Sequence, residues 1–320
     1  MMHVLLWLSR IITGAVFVFS GFVKAIDPLG SAYKFQDYFL AFGTEWLFFS
    51  ALPMAVALST LELVIGIGIL FGISMRYSAW GGLLFMAFFT PLTLYIAITD
   101  PVPDCGCFGD AIIISNWSTF FKNIIILAAA IIVFIYRDRV TPLWSEKGDK
   151  RIIAAITAAV IGLSVYCLLY LPIIDFRPWK TGNNITEEGL IDNFFIEDDT
   201  GNDLTWDYYF KEDYWFLVSA YDLNRTNARA FERNITPLAR DAEAQGYELV
   251  VLSGSPDVVV EAFRHDYQTP YPFYLSDEIA LKTIIRSNPG LVLIKDGVVV
   301  QKWPFRRIPA FEQIEEKYIR

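Results

Sequence analysis

Five apolar runs, each long enough to cross a bilayer as a helix, fill the first half of the chain. They are Val4–Ala25, Leu47–Phe71, Tyr77–Ile98, Trp117–Tyr136 and Ile152–Ile174. The first is longer than a signal-peptide core and lacks a small-x-small cleavage site, so it reads as a retained span. Gly14, Ser20 and Gly21 within it are residues of the size that lets membrane helices approach closely. Pro91, inside the third run, is expected to kink its helix, which neighbouring helices in a membrane can tolerate. Between spans one and two, Asp27-Pro28-Leu29-Gly30 opens a loop and Tyr33–Phe42 suits a short amphipathic surface helix.

The pattern changes at Pro172. Polar, acidic and turn residues appear, and Asp175–Ile185 reads as a linker. A hairpin is expected from Leu190–Ile196, a turn over residues 198–203, and Leu204–Trp206. Strands are then expected at Tyr214–Tyr221, Tyr247–Ser253 and Tyr271–Leu275. Helices alternate with them at Ala228–Gln245, Pro256–His265 and Glu278–Arg286. A second hairpin, Leu291–Lys295 and Val298–Trp303, turns at Asp296-Gly297. A last helix covers Pro309–Tyr318. Such alternation, closed by a hairpin and a helix, predicts an α/β sandwich.

Composition agrees with this division. The chain has 320 residues, 54% of them hydrophobic, with a mean hydropathy of +0.40. That suits a membrane protein with a water-exposed part. The formal net charge of -9 argues against nucleic acid or an anionic lipid surface as partner. Membrane lipid and a periplasmic or membrane protein are the expected partners. Lysine and arginine set the orientation. Arg76 follows span two, and Arg137, Arg139, Lys147, Lys150 and Arg151 follow span four, which places these loops in the cytoplasm. The loops after spans one and three carry Lys34 and the acids Asp100, Asp104 and Asp110, which places them outside. The expected location is a bacterial inner membrane, with the N-terminus cytoplasmic and everything after span five periplasmic.

One stretch carries candidate chemistry: Asp104-Cys105-Gly106-Cys107-Phe108-Gly109-Asp110, a polar loop between spans three and four. The only other cysteine is Cys167, in span five. A close thiol pair in an oxidising compartment suggests redox work; the alternatives are an idle glycine-rich turn or a metal site. A tetrahedral zinc site needs about four ligands, and neither Cys167 nor His3 nor His265 is suitably spaced, so no metal is expected. Gly106 makes a small disulfide ring feasible, and a strained ring would be easily reduced. Phe108, Trp117, Phe120 and Phe121 read as an interfacial aromatic belt or as walls of a quinone pocket. Three ionisable residues lie within spans: Arg10, Lys24 and Glu62. Lys24 lies near a span end and is expected to snorkel. Arg10 and Glu62 lie at similar depth and are expected to pair, as a structural ion pair or as contacts for protons or a quinone headgroup.

Spans one to four resemble the DoxX/MauE group of small four-helix membrane proteins, which are called redox-associated. The matching residues are Arg10-Ile-Ile-Thr-Gly14 through Ser20-Gly21-Phe22-Val23-Lys24, Asp27-Pro28, Glu62 with Gly66, and above all the Asp104–Asp110 motif. That group is distantly similar in architecture to vitamin K epoxide reductase-like proteins, where a cysteine pair at the outer start of a late helix passes electrons from thiols to a quinone. The resemblance implies thiol redox at Cys105 and Cys107, with a quinone as cofactor and Arg10, Glu62 and Phe108 as candidate quinone contacts. The pair here is Cys-x-Cys, not Cys-x-x-Cys, and no second cysteine pair accompanies it. The order of strands and helices after residue 184 resembles a thioredoxin-like domain, and Pro289 stands where that fold carries a cis-proline. The loop after its first strand, Asp222-Leu223-Asn224-Arg225-Thr226, holds no cysteine, which makes the domain a docking module or a relative that has lost its thiol activity.

The expected architecture is therefore membrane α-helical. A DoxX-like four-helix bundle spans residues 1–140, a cytoplasmic loop, fifth transmembrane helix and linker span 141–183, and an α/β thioredoxin-like domain spans 184–320. The expected function is a membrane thiol-redox protein, or alternatively a non-catalytic scaffold or assembly factor whose second domain binds a periplasmic partner.

Overall fold

A computed structural model describes residues 2–142, 144–186 and 194–320. It divides into two compact units, one ending at Leu168 and the other beginning at Leu169.

Among the described residues of the first unit, five helices are long and apolar enough to cross a membrane. They are α1 (Met2–Ile26), α3 (Ala51–Phe71), α4 (Met75–Thr99), α5 (Asn116–Ile135) and α6 (Glu146–Tyr170). The shorter α2 (Pro28–Ala41) lies between α1 and α3 and begins one turn earlier than the amphipathic pattern suggests. Asp27 is the reason: its Oδ1 accepts the Gly30 N–H at 2.9 Å, and Pro28 fits the first helical turn. α6 likewise starts early, on an exposed Lys150–Glu146 pair at 2.8 Å. It stops before Leu171, whose φ is 88°, with Pro172 following. α4 stays continuous through Pro91.

α1 and α3 pack antiparallel with almost no space between them. A Cβ added to Gly21 would lie 2.6 Å from Leu63 N, and one on Gly66 would lie 2.7 Å from Val18 N. Only glycine permits that approach, so the small residues fix the register of the two helices. Gly14 meets Gly66 and Leu70, and Gly21 meets Ser59 and Leu63. This register overturns the expected Arg10–Glu62 pair. Arg10 instead donates from Nε to the Ile69 carbonyl at 2.9 Å and from Nη2 to the Leu70 carbonyl at 2.8 Å. Glu62 faces Ser20 and Lys24, one end of the bundle away.

The second unit holds a five-stranded sheet. Its strands are β1 (Trp215–Ser219), β2 (Glu248–Ser253), β3 (Phe273–Leu275), β4 (Gly290–Lys295) and β5 (Val298–Pro304), in the order β3-β2-β1-β4-β5. β1 pairs parallel to β2 and antiparallel to β4, with Leu217 opposite Val250 and Val292. Helices cover both faces. Trp215 and Leu217 point into one core with Trp179 and Leu281, while Phe216 and Val218 point into the other with Phe231 and Leu238. β1 is buried throughout, as a central strand covered on both faces must be. A mixed sheet in this order, ending in an antiparallel hairpin and a helix, with a cis Asn288–Pro289 bond before β4, is the thioredoxin-like arrangement.

Three local expectations change. The segment read as a linker, Asp175–Ile185, packs into this unit: Trp179 and Ile185 join the core, and the Gly182 N–H donates to the Val299 carbonyl at 2.8 Å. Residues 187–193, where the first hairpin was expected to begin, lie outside the described residues. Its return strand is instead a helix, Thr205–Tyr209, because Asp203 accepts the Thr205 N–H at 2.9 Å and Tyr208, one turn after Leu204, is buried. The helix expected over Ala228–Gln245 widens to a π turn at Phe231–Ile235. Pro237 explains this, since it has no N–H and its ring crowds the carbonyl four residues back.

Candidate functional site

The cysteine loop, between α4 and α5, is held from several sides by short polar contacts. Asp104 organises it. Its Oδ1 accepts the Gly106 N–H at 2.8 Å, and its Oδ2 accepts Lys34 Nζ of α2 at 2.7 Å. The Tyr38 hydroxyl of α2 donates to the Cys105 carbonyl at 3.1 Å. On the other side, the Ser20 hydroxyl of α1 lies 2.7 Å from the Cys107 carbonyl. Asn116, in the first turn of α5, donates to Asp100 Oδ1 and to the Val102 carbonyl, each at 2.8 Å. Gly106 has φ +66°, a left-handed conformation that costs any other residue more. It folds the chain back so that the Cys105 and Cys107 sulfurs lie 2.7 Å apart, both as free thiols.

That separation is close to the ~2.05 Å of a disulfide, so bond formation needs little movement. The two thiols are not equivalent. Cys105, hydrogen-bonded to the Cys107 sulfur and shielded from water, is pushed well above the ordinary thiol range. The same hydrogen bond lowers Cys107 to about 6; burial opposes this, while the positive charges of Lys122 and Lys24 assist. Burial also raises the Tyr38 phenol, so it stays a neutral donor.

Beneath the loop lies an ion pair inside the helix bundle. Lys24 Nζ sits 2.8 Å from both Glu62 carboxylate oxygens and 2.9 Å from the Ser20 hydroxyl. The Lys24 and Glu62 side chains are only 8% and 6% exposed. Lys24 therefore does not snorkel; it is the partner that makes Glu62 tolerable in an apolar bundle. Phe108 belongs to the same corner, with its ring 5.3 Å from that of Phe19 and Lys122 Nζ 4.2 Å from its centroid. Trp117 and Phe121 are about half exposed, with their rings 6.0 Å apart and tilted by 30°, as suits interfacial aromatics.

Of the residues singled out from sequence, the structure brings together Cys105, Cys107, Phe108 and Glu62. Arg10 is not among them: 14 helical residues separate it from Lys24, about 21 Å along α1. Cys167 is buried on α6 and lies outside this group. Sequence reading missed Lys24 as the partner of Glu62, and missed Ser20, Lys34, Tyr38 and Lys122. The glycine spacing was the available signal: setting Gly14 against Gly66 and Gly21 against Leu63 brackets Glu62 between Val18 and Phe22, beside Ser20 and within a turn of Lys24.

Residues 2–136 match the family model of Methylamine utilisation protein MauE. The matched region covers α1 to α5 and contains every residue of the cysteine site. Among solved structures, the chain is similar to the thioredoxin domain of a thiol-disulfide oxidoreductase from Bacteroides vulgatus, at 15% identity over 43% of this chain and 96% of that one, with a TM-score of 0.33. It is also similar to PrxQ of Xylella fastidiosa, at 15% identity over 43% of this chain and 94% of that one, with a TM-score of 0.33. No curated protein matches the chain.

In the second unit, the loop after β1 lies against the cis Asn288–Pro289 bond. Asn288 Nδ2 donates to the Asp222 carbonyl at 2.8 Å, and the Asn227 N–H donates to the Asn288 carbonyl at 3.2 Å. Arg225 is exposed and lies 3.4 Å from the carboxylate of Asp222. With all three cysteines in the first unit, this domain has no thiol of its own.

Proposed function

We propose that this chain is a membrane thiol-disulfide oxidoreductase component in which Cys105 and Cys107 form the working pair and a membrane quinone receives the electrons. The observation that carries this reading is the 2.7 Å approach of two unlike thiols in a loop tied to α1 and α2. In the oxidative step the S–S bond would form as the pair gives up two electrons and its thiol proton or protons; a quinone would supply the acceptor for two electrons and two protons, any proton not held by the thiols coming from water. In the reductive step, two thiols of an exported protein become a disulfide and their electrons return the pair to the reduced form.

Phe108, next to Cys107 in the loop, would contact the quinone ring, a reading supported by its place beside the thiols. Both oxygens of Glu62 are already bonded, so its part is played from behind the loop. Arg10, at the far end of α1, would touch a quinone only at a separate place. The distribution of lysine and arginine supports a bacterial inner-membrane location with the N-terminus in the cytoplasm and the cysteine loop and C-terminal domain in the periplasm. That domain keeps a thioredoxin-like frame without cysteines, which favours docking of a periplasmic or membrane protein as its role.

Acid trapping of cells followed by thiol alkylation tests this reading. The pair is expected to be mostly oxidised in normal cells and to become reduced when quinone synthesis is blocked. A pair that stays reduced in both conditions would overturn it, and unchanged cellular function in a Cys105→Ser, Cys107→Ser double variant would favour a scaffold.

A further inference from the structure

We propose that the Lys24–Glu62 pair, joined to the cysteine loop through Ser20, is the positioning device that makes Cys107 the thiolate-forming member of the pair. This rests on the thiol-redox reading above and assigns its internal chemistry.

The geometry is directional. Ser20 has one hydroxyl proton and two acceptors in reach, Glu62 Oε2 at 2.9 Å and the Cys107 carbonyl at 2.7 Å. Glu62 is already satisfied on both oxygens by Lys24, so the Ser20 proton serves the Cys107 carbonyl. Lys24 in turn donates to the Ser20 oxygen, which polarises the hydroxyl toward Cys107. A fixed cation is thereby coupled through one hydroxyl to the residue that must carry charge. The pair is not required to set the helix register, because the Gly14, Gly21 and Gly66 contacts already do so. Burying two charges where packing alone would hold the helices is costly, and an electrostatic duty at Cys107 accounts for that cost.

The groups around the thiols come from every neighbouring element. α1 supplies Lys24, α2 supplies Lys34 and Tyr38, α3 supplies Glu62 and α5 supplies Lys122; the loop itself carries Asp104, Asp110 and Cys105. Lys34 is spent on Asp104. That leaves Lys24 and Lys122 as the cations near the thiols: the charge of Lys24 favours both thiolates, whereas Lys122 and the Ser20 link bear on Cys107, with Glu62 opposing a Cys107 thiolate. When a partner dithiol reduces the disulfide, the S–S bond takes two electrons. The partner's own disulfide forms and two protons are released. Cys105 keeps one as its thiol, the other goes to water, and Cys107 remains a thiolate hydrogen-bonded by Cys105.

The test is site-resolved alkylation of the full-length protein in detergent, with the rate at Cys107 followed against pH by mass spectrometry. Wild-type Cys107 should react with a midpoint near 6. Lys24→Met should move that midpoint up, slowing alkylation at pH 6 about fivefold for a shift of one unit. Glu62→Gln should move it down, and Lys24→Arg should restore the wild-type profile. A Lys24→Met, Glu62→Leu double variant, which removes both charges while keeping an apolar contact, should show a midpoint between those of the two single variants and guards against loss of fold. Shifts of opposite sign are the electrostatic signature. Unmoved midpoints, or shifts of the same sign in both single variants, would overturn the inference. If the pair cycles with quinone in cells but its midpoint ignores Lys24, only this inference fails; if the pair never cycles, the redox reading fails whatever the midpoint.

Discussion

The Ser20 hydroxyl and the Cys107 backbone carbonyl meet at 2.7 Å, which fastens the cysteine loop to the helix that also carries Lys24. Removing that hydroxyl should free the loop without emptying the bundle. Ser20→Ala is expected to cost about 1 kcal/mol and to speed amide exchange across residues 104–110. Unchanged exchange there would mean that Asp104, Tyr38 and Asn116 hold the loop without help.

The Lys24–Glu62 pair should show strong coupling. Breaking a buried pair from one side leaves an uncompensated charge and costs about 3–5 kcal/mol. Lys24→Ala and Glu62→Ala should each destabilise the protein by that order in a reversible detergent unfolding titration. The double variant should lose much less than the two losses added together. Simple additivity would show that the two side chains do not stabilise each other.

Gly106 should be intolerant of a side chain. Its φ of +66° costs alanine about 1 kcal/mol, and a Cβ there would lie 2.9 Å from Lys34 Cγ. Gly106→Ala is expected to slow closure of the Cys105–Cys107 disulfide by added oxidant, as read by loss of alkylatable thiols over time. Closure at the wild-type rate would contradict the tight turn.

The C-terminal domain should weaken in acid through Asp175. Burial alone would raise this carboxyl, but Arg177, with Nε 2.7 Å away, and Lys302 hold it down at about 2. The folded value lies below the ordinary 3.8. The stability it gives is thus fully present above pH ~4 and is lost as pH falls toward 2. The thermal midpoint of the full-length protein should drop across that window, and Asp175→Asn should lower the midpoint at neutral pH while flattening the drop. An Asp175→Asn protein with an unchanged acid profile would assign the loss to other carboxylates.

Much of this architecture is legible in the residues themselves. The spans announce themselves as apolar runs, and the alternation after Pro172 gives β1 to β5 in their right places. Pairing inside the membrane is harder to read. Depth counting put Arg10 beside Glu62, because it uses distance from the helix ends and ignores register, which the glycine contacts fix. Trp179 was lost in a polar, proline-bearing stretch that looks like a linker, although a fully buried tryptophan makes it part of the core. Pairing of Lys34 with Asp104 and of Tyr38 with Cys105 depends on how α2 folds back over the loop, and no local pattern encodes that. The Cys-Gly-Cys motif was the most informative stretch, since its chemistry is local: a single glycine between two thiols lets the chain fold back and bring them within reach of each other.

The central claim is that Cys105 and Cys107 exchange electrons with a quinone as a pair. The direct measurement uses the purified full-length protein, reduced, freed of reductant and mixed with a soluble quinone under anaerobic conditions. Quinol is followed optically and thiols by alkylation and mass spectrometry. The account predicts one quinol formed for each Cys105–Cys107 disulfide, and none from a Cys105→Ser, Cys107→Ser protein. Persistence of both thiols in the presence of quinone, or equal quinol formation by the double variant, would contradict it.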